Sequence, residues 1–301
     1  MSAYKTVASR ELVKKTINGE PTMRIAKGEL CISEDVICHN YGCKQSGFTE
    51  KYTFIRKLKQ DIVSLSPLYP PNPKSLPAHH ECLMPEITRW ANETPLFTFA
   101  VLDGAFEWGM RIFGVERFLV MLRKTPSALG EFIREVEKLN LSMAEEMEAN
   151  GIDGILLADD IAYQQGLFVV PTVLRDIFIP SLARQVYKIS SYDLPVFFHS
   201  DGDYRDVLQD IVNCGFSGLQ CLEKKAGMDI AELQKRYNNT LCLWGHLEVE
   251  DIAQASTAGQ CATIVEKIKK LASSQRFILG TTSGIFSGID IDQLQKIYDT
   301  L

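Results

Sequence analysis

The chain has 301 residues, 46% of them hydrophobic and 23% charged, with a formal net charge of −6. That balance suits one globular domain, and the mixture of signs along the chain argues against a nucleic-acid footprint. Its apolar runs stay short of the roughly 20 residues that a membrane span needs, and residues 1–20 lack the apolar core of a secretory signal, so a cytoplasmic protein is expected.

In chain order, short apolar runs alternate with helical patterns. The runs fall at 23–32, 61–66, 96–102, 154–158, 195–199, 217–222, 241–245 and 277–280. Segments such as IVSL, FTFAVL, GILLA, VFF and FILG are nearly all apolar, as strands buried on both faces are. After the first run comes a helical segment, 49–59. A Pro-rich stretch, PLYPPNPKSLPAHH, reads as a loop over one end of the sheet. The third connection, 104–153, is the longest and holds an amphipathic helix at 129–150. Helices are then expected at 171–190, 207–214, 229–237, 264–272 and 291–301, the first of them opened by Pro171. Eight strands joined by crossover helices predict one α/β domain over residues 1–301, a (β/α)8 TIM barrel. An open doubly wound sheet is the alternative, but no glycine-rich phosphate loop follows any strand. The eight cysteines form no CxxC and read as reduced, mostly buried residues.

Barrel enzymes draw their catalytic groups from the C-terminal ends of several strands. Here the first run passes through Lys27 and Glu29, the third ends in Asp103-Gly104 and the fourth in Asp159-Asp160. The fifth ends in His199-Ser200-Asp201-Gly202, the sixth leads to Glu223, the seventh to His246 and the eighth to Thr281-Thr282-Ser283. Each could simply cap a turn or a helix; their convergence on one rim is the functional signal. Adjacent strand residues point to opposite faces, so only one of Asp159 and Asp160 should face the mouth. His199, Glu223 and His246 would come from three adjacent strands, and two imidazoles with a carboxylate can form an open zinc site. Asp201 is then a reserve ligand or an orienter of His199. The alternative is a hydrogen-bonded cluster that binds nothing. His39, His79 and His80 read as solvated.

The segments LADDIAYQQGLFVVPTVLRDIFIPSLARQV, VFFHSDGDYRDVLQDIVNCGFSGLQCLEKKAGMDIAELQKRY and LCLWGHLE resemble the uroporphyrinogen decarboxylase superfamily, with weaker echoes in RIAKGELCI and LDGAFEWGMRIFGVERFL. The resemblance implies a barrel with its site at the open end. One branch decarboxylates a tetrapyrrole and carries an arginine-rich segment near its N-terminus; here TMRIAKGELCISEDVICHNYGC offers only Arg24. Thiol-directed methyltransferases of the superfamily use a His-x-Cys pair and a later Cys. Here those positions read His199-Ser200-Asp201 and Thr281-Thr282-Ser283, so oxygen-rich ligation is expected. The HSDG form resembles the corrinoid-linked methyltransferase-like branch. It implies methyl transfer from a small O- or N-methylated compound to a corrinoid on a partner protein, with zinc as the metal. The catalytic candidates are His199, a metal ligand or general acid in methyl transfer, Glu29, and Asp103 and Asp160, either of which would stabilise a protonated pyrrole in a carboxy-lyase. Asp201, Thr282 and Ser283 contact substrate, and His199, Glu223 and His246 hold the metal. The rival readings are a cofactor-free carboxy-lyase and a ligand-binding barrel without catalysis. A homodimer is a further expectation.

Overall fold

A computed structural model describes residues 8–237 and 240–301. Eight strands form a parallel sheet: β1 Ala26–Lys27, β2 Ile62–Leu65, β3 Phe97–Asp103, β4 Gly154–Ala158, β5 Val196–His199, β6 Gly218–Gln220, β7 Cys242–Leu247 and β8 Phe277–Thr281. Neighbours pair in sequence order from β2 to β8, and β8 pairs with β1. The seam between β1 and β2 is narrow: the Asp61 amide donates to the Lys27 carbonyl at 2.6 Å, and Gly28 packs so tightly on Ile62 that a Cβ there would sit 2.4 Å from the Ile62 Cβ. The result is a nearly closed (β/α)8 barrel, with one strand for each of the eight apolar runs. β1 is much shorter than its run, because beyond Lys27 the backbone turns to other partners. The Gly28 carbonyl accepts the Trp244 indole N–H at 2.9 Å.

Two layers of apolar packing follow from the alternation of strand side chains. Phe97, Phe99, Val101, Leu156, Phe197, Cys242, Trp244 and Ile278 fill the barrel interior. The rings of Phe99 and Phe197 lie 5.1 Å apart, and those of Phe99 and Trp244 5.3 Å apart. Residues of opposite parity, such as Ile155, Phe198, Leu219 and Leu279, pack outward against the helices. Burial of each such side chain stabilises the fold by about 1.5–3 kcal/mol. The helix Arg10–Asn18, which the strand pattern did not announce, plugs the lower end of the barrel with Leu12, Val13 and Ile17. The Ser9 hydroxyl caps it by accepting from the Leu12 amide at 3.1 Å, and Gly19, at φ 70°, ends it in the left-handed region. Arg24 also belongs to this lower end, where it forks onto the buried Asp61 at 2.6–2.7 Å.

The Pro-rich connection after β2 is a loop, as expected, folded by one antiparallel bridge between Leu68 and Leu83. It is not wholly solvated: His79 Nε2 lies 2.7 Å from the Glu146 carboxylate on the helix Gly130–Ala149. A small hairpin, Ala162–Tyr163 with Gly166–Leu167, follows β4 and stands over the upper rim. No helix among the described residues is long and apolar enough to cross a membrane.

Candidate functional site

The strand ends meet at the upper rim, and the local sequence explains which groups face it. Gly104 follows β3 because a Cβ there would fall 2.2 Å from Asp159 Cγ. That close approach lets Asp159 Oδ1 accept the Phe106 and Glu107 amides at 2.8 and 2.9 Å, at the start of the helix Ala105–Phe113. Asp159 is thus a buried helix cap, and desolvation holds its carboxyl well above the usual range. Asp160 turns to the rim and accepts the Asp201 amide at 2.8 Å. Asp103, at the end of β3, pairs with Arg111 at 2.6 Å; burial raises its pKa and the guanidinium opposes the shift. Arg111 also lies 3.6 Å from Glu107 and stacks over Trp108 and Tyr69.

β5 delivers the HSDG segment. His199 is buried, with Nε2 3.6 Å from Asp160 Oδ1 and 3.9 Å from Asp201 Oδ1. The Ser200 hydroxyl donates to the Asp201 carbonyl at 2.9 Å and accepts the Ile161 amide at 3.2 Å, fixing the turn. Gly202 has φ 80°, and a Cβ there would lie 2.5 Å from the Tyr163 backbone. Only glycine fits such a place. Its amide donates to Glu223 Oε2 at 3.0 Å.

β6 contributes two groups that the sequence pattern hid inside an apolar run. Gln220 is fully buried beside His199, its direct partner across the β5–β6 ladder, and their side chains are hydrogen-bonded. Cys221 lies just past the strand, and its thiol donates to Asp201 Oδ1 at 2.8 Å. Burial first, and the Asp201 charge second, hold that thiol well above the usual range. His199, Asp201 and Cys221 each offer one ligand atom, and these atoms lie within 4.8 Å of one another.

This grouping revises the expected ligand set. Glu223 stays near the rim as a brace for Gly202. His246 leaves the mouth altogether. Alternation from Cys242 and Trp244 would aim it inward, but the alternation breaks after Gly245. The imidazole instead lies in the groove between the helices Ile230–Tyr237 and Ala258–Ala272, its ring 6.0 Å from that of Phe277. Burial there lowers its pKa to about 4. Cys221 also brings a sulfur atom next to His199 and Asp201, a donor that the oxygen-rich expectation did not include. The signal for it was the QCLE tetrapeptide: a strand ending at Gln220 leaves the next cysteine at the rim.

The remaining predicted residues divide. Glu29 is buried among β1, β8 and the helix Ile291–Thr300, where Thr281 donates through its amide at 2.9 Å and Tyr298 through its hydroxyl at 2.5 Å. Desolvation raises its pKa to about 7 in spite of these bonds. That placement suits a structural carboxyl packed against a helix. Thr282 is buried and its carbonyl accepts from Gln220, while Ser283 is exposed in a shallow cavity shared with Glu223, Thr281 and Phe286.

The donor set fits a divalent metal ion. Nitrogen, oxygen and sulfur are all zinc ligands, and three protein ligands leave the open position of a catalytic site. His199 Nε2 faces two carboxylates at 3.6 and 3.9 Å, too far for a hydrogen bond and placed so that a cation could lie between them. A bound ion would replace the Cys221 proton on Asp201.

Residues 45–301 match the family model of uroporphyrinogen decarboxylase. No curated protein matches the chain by sequence. Among solved structures, a methyltransferase from Methanosarcina mazei superposes with a TM-score of 0.70 at 16% identity, covering 97% of each chain. The spore cortex-lytic enzyme SleL of Bacillus megaterium QM B1551 gives a TM-score of 0.52 at 10% identity, covering 93% of this chain and 75% of that one. At such identities the likeness concerns the fold.

Proposed function

The chain belongs to the uroporphyrinogen decarboxylase family, and from that premise we propose that it is a methyltransferase moving a methyl group from a small O- or N-methylated compound to a corrinoid on a partner protein. The observation that carries this reading is the nitrogen, oxygen and sulfur donor set of His199, Asp201 and Cys221 at the barrel mouth. The overall likeness to the Methanosarcina mazei methyltransferase supports it.

A divalent ion held there, with zinc the fitting candidate, would act as a Lewis acid on the leaving heteroatom. The partner's reduced cobalt would supply the nucleophile. The chain's own part is to place and shield the substrate. Asp160 orders the Asp201 backbone, and so the ligand carboxylate. Arg111 holds Asp103 against the floor of the mouth. The Pro-rich loop and the 162–167 hairpin stand where they would restrict water. The carboxy-lyase alternative has less support, because Arg111 is committed to Asp103 and Glu107, and Arg24 is bound to Asp61 at the other end of the barrel.

The test joins elemental analysis of protein purified without chelators to an absorbance assay of methyl transfer to free cob(I)alamin. The donors are methanol, methoxybenzene, trimethylamine and tetramethylammonium. About one zinc per chain and transfer from at least one donor are expected, both lost in His199→Ala. Metal-free protein that binds no added zinc, with no transfer from any donor, would remove the reading in favour of a binding barrel.

A further inference from the structure

We propose that Gln220 is a positioning residue that sets the tautomer of His199, keeping its Nε2 lone pair directed at the Asp160–Asp201–Cys221 cluster. The argument runs on donor and acceptor identities. The Gln220 side chain is fully buried and bridges two strand ends. On one side its amide lies 3.3 Å from the carbonyl of Thr282, which can only accept. That contact requires the –NH2 group, which fixes the orientation of the amide. Its carbonyl oxygen is therefore the atom that meets His199 Nδ1. An amide oxygen can only accept, so Nδ1 must carry the ring proton.

The consequence lies on the other side of the ring. With Nδ1 protonated, the neutral ring keeps its lone pair on Nε2, the atom 3.6 Å from Asp160 and 3.9 Å from Asp201. Unassisted imidazole has no such commitment, and with the proton on Nε2 it would present an N–H in place of a lone pair and could not ligate a cation there. Gln220 prevents this from a neighbouring strand, in direct register with His199. Thr282 is in turn tied to β7, its amide donating to the Leu247 carbonyl at 2.9 Å. Three strand ends beyond β5 thus hold one ring orientation, the arrangement by which partners behind a ligand tune its donor atom.

The inference deepens the proposed metal centre and rests on it for its purpose, but the tautomer can be read without metal or activity. Nitrogen-15 NMR of the metal-free protein should show His199 protonated at Nδ1. In Gln220→Leu the proton should move toward Nε2, and cobalt(II) affinity should fall roughly 10–100-fold. In Gln220→Glu a carboxylate still accepts from Nδ1, so the tautomer and most of the cobalt(II) affinity should survive. A purely structural role predicts the reverse order, because Glu buries a charge against the Thr282 carbonyl while Leu does not. His199 protonated at Nε2 in the parent protein would overturn the inference whatever the variants do. An Nδ1-protonated ring in a protein that binds no metal would uphold it while removing the proposed metal centre.

Discussion

Two sectors of the barrel rim carry polar residues at equivalent places, yet their fates differ. In the β5–β6 sector, His199, Gln220, Asp201 and Cys221 contact one another at the mouth. In the sector from β7 through β8 to β1, His246 and Glu29 withdraw into the layer between strands and helices. The first sector holds its shape through a glycine turn and side-chain hydrogen bonds around the mouth. The second spends its polar groups on packing: Glu29 ties β1 and β8 to the C-terminal helix, and His246 sits against Phe277. A polar residue at the end of a barrel strand is therefore not yet a site residue. Its parity, and the helix that covers it, decide whether it meets substrate.

The sharpest contrast is in metal binding. Asp201→Asn and Cys221→Ser should weaken cobalt(II) or zinc binding by roughly 100-fold or more, because each removes one of the three proposed ligands. His246→Leu and Glu29→Gln should leave the affinity within about two-fold. Titration of the four variants with cobalt(II), followed by absorption, checks this. Loss of metal in His246→Leu would erase the distinction between the sectors.

The second contrast is in pH. Glu29, with its folded pKa raised to about 7, contributes stability that is present below about pH 4.5 and is lost as the pH rises to 7. His246, with its folded pKa lowered to about 4, contributes stability that is present above about pH 6.5 and is lost as the pH falls to 4. Each contribution is on the order of 3 kcal/mol. The two slopes oppose one another in the parent protein. Glu29→Gln should therefore make stability rise more steeply between pH 4 and 6.5, and His246→Leu should make it fall more steeply between pH 4.5 and 7. Urea unfolding across this range tests both; parallel curves for parent and variants would show that neither group is desolvated as described.

A smaller effect is expected within the mouth itself. Gly202→Ala places a Cβ at φ 80° and 2.5 Å from the Tyr163 backbone. Strain and displacement together should cost about 2–3 kcal/mol and lower the Tm by roughly 3–5 °C. An unchanged Tm would mean that the turn relaxes freely, and that the β5 sector is less rigid than its hydrogen bonds indicate.

The eight strands were legible because strands covered on both faces must be apolar throughout, and each of the eight runs stands out between polar connections. The upper rim was legible for the same reason, since Asp103, Asp160 and His199 interrupt those runs where the strands stop. The plug helix Arg10–Asn18 was not announced, for it has only a few apolar residues and lies before the repeating pattern begins. Cys221 and Gln220 were overlooked because they sit inside or beside an apolar run, where a cysteine reads as a small core residue.

By itself, the amino-acid sequence determined the strand count, the parallel α/β class and the rim at which polar groups accumulate, because these follow from local periodicity and from the turn chemistry of Gly104 and Gly202. Only the tertiary structure decided which of those groups meet. The lateral register of β5 against β6 sets Gln220 beside His199, the break in alternation at Gly245 sends His246 to the helix layer, and the covering C-terminal helix encloses Glu29. Each depends on residues far apart in the chain, and a sequence pattern read one segment at a time does not encode them.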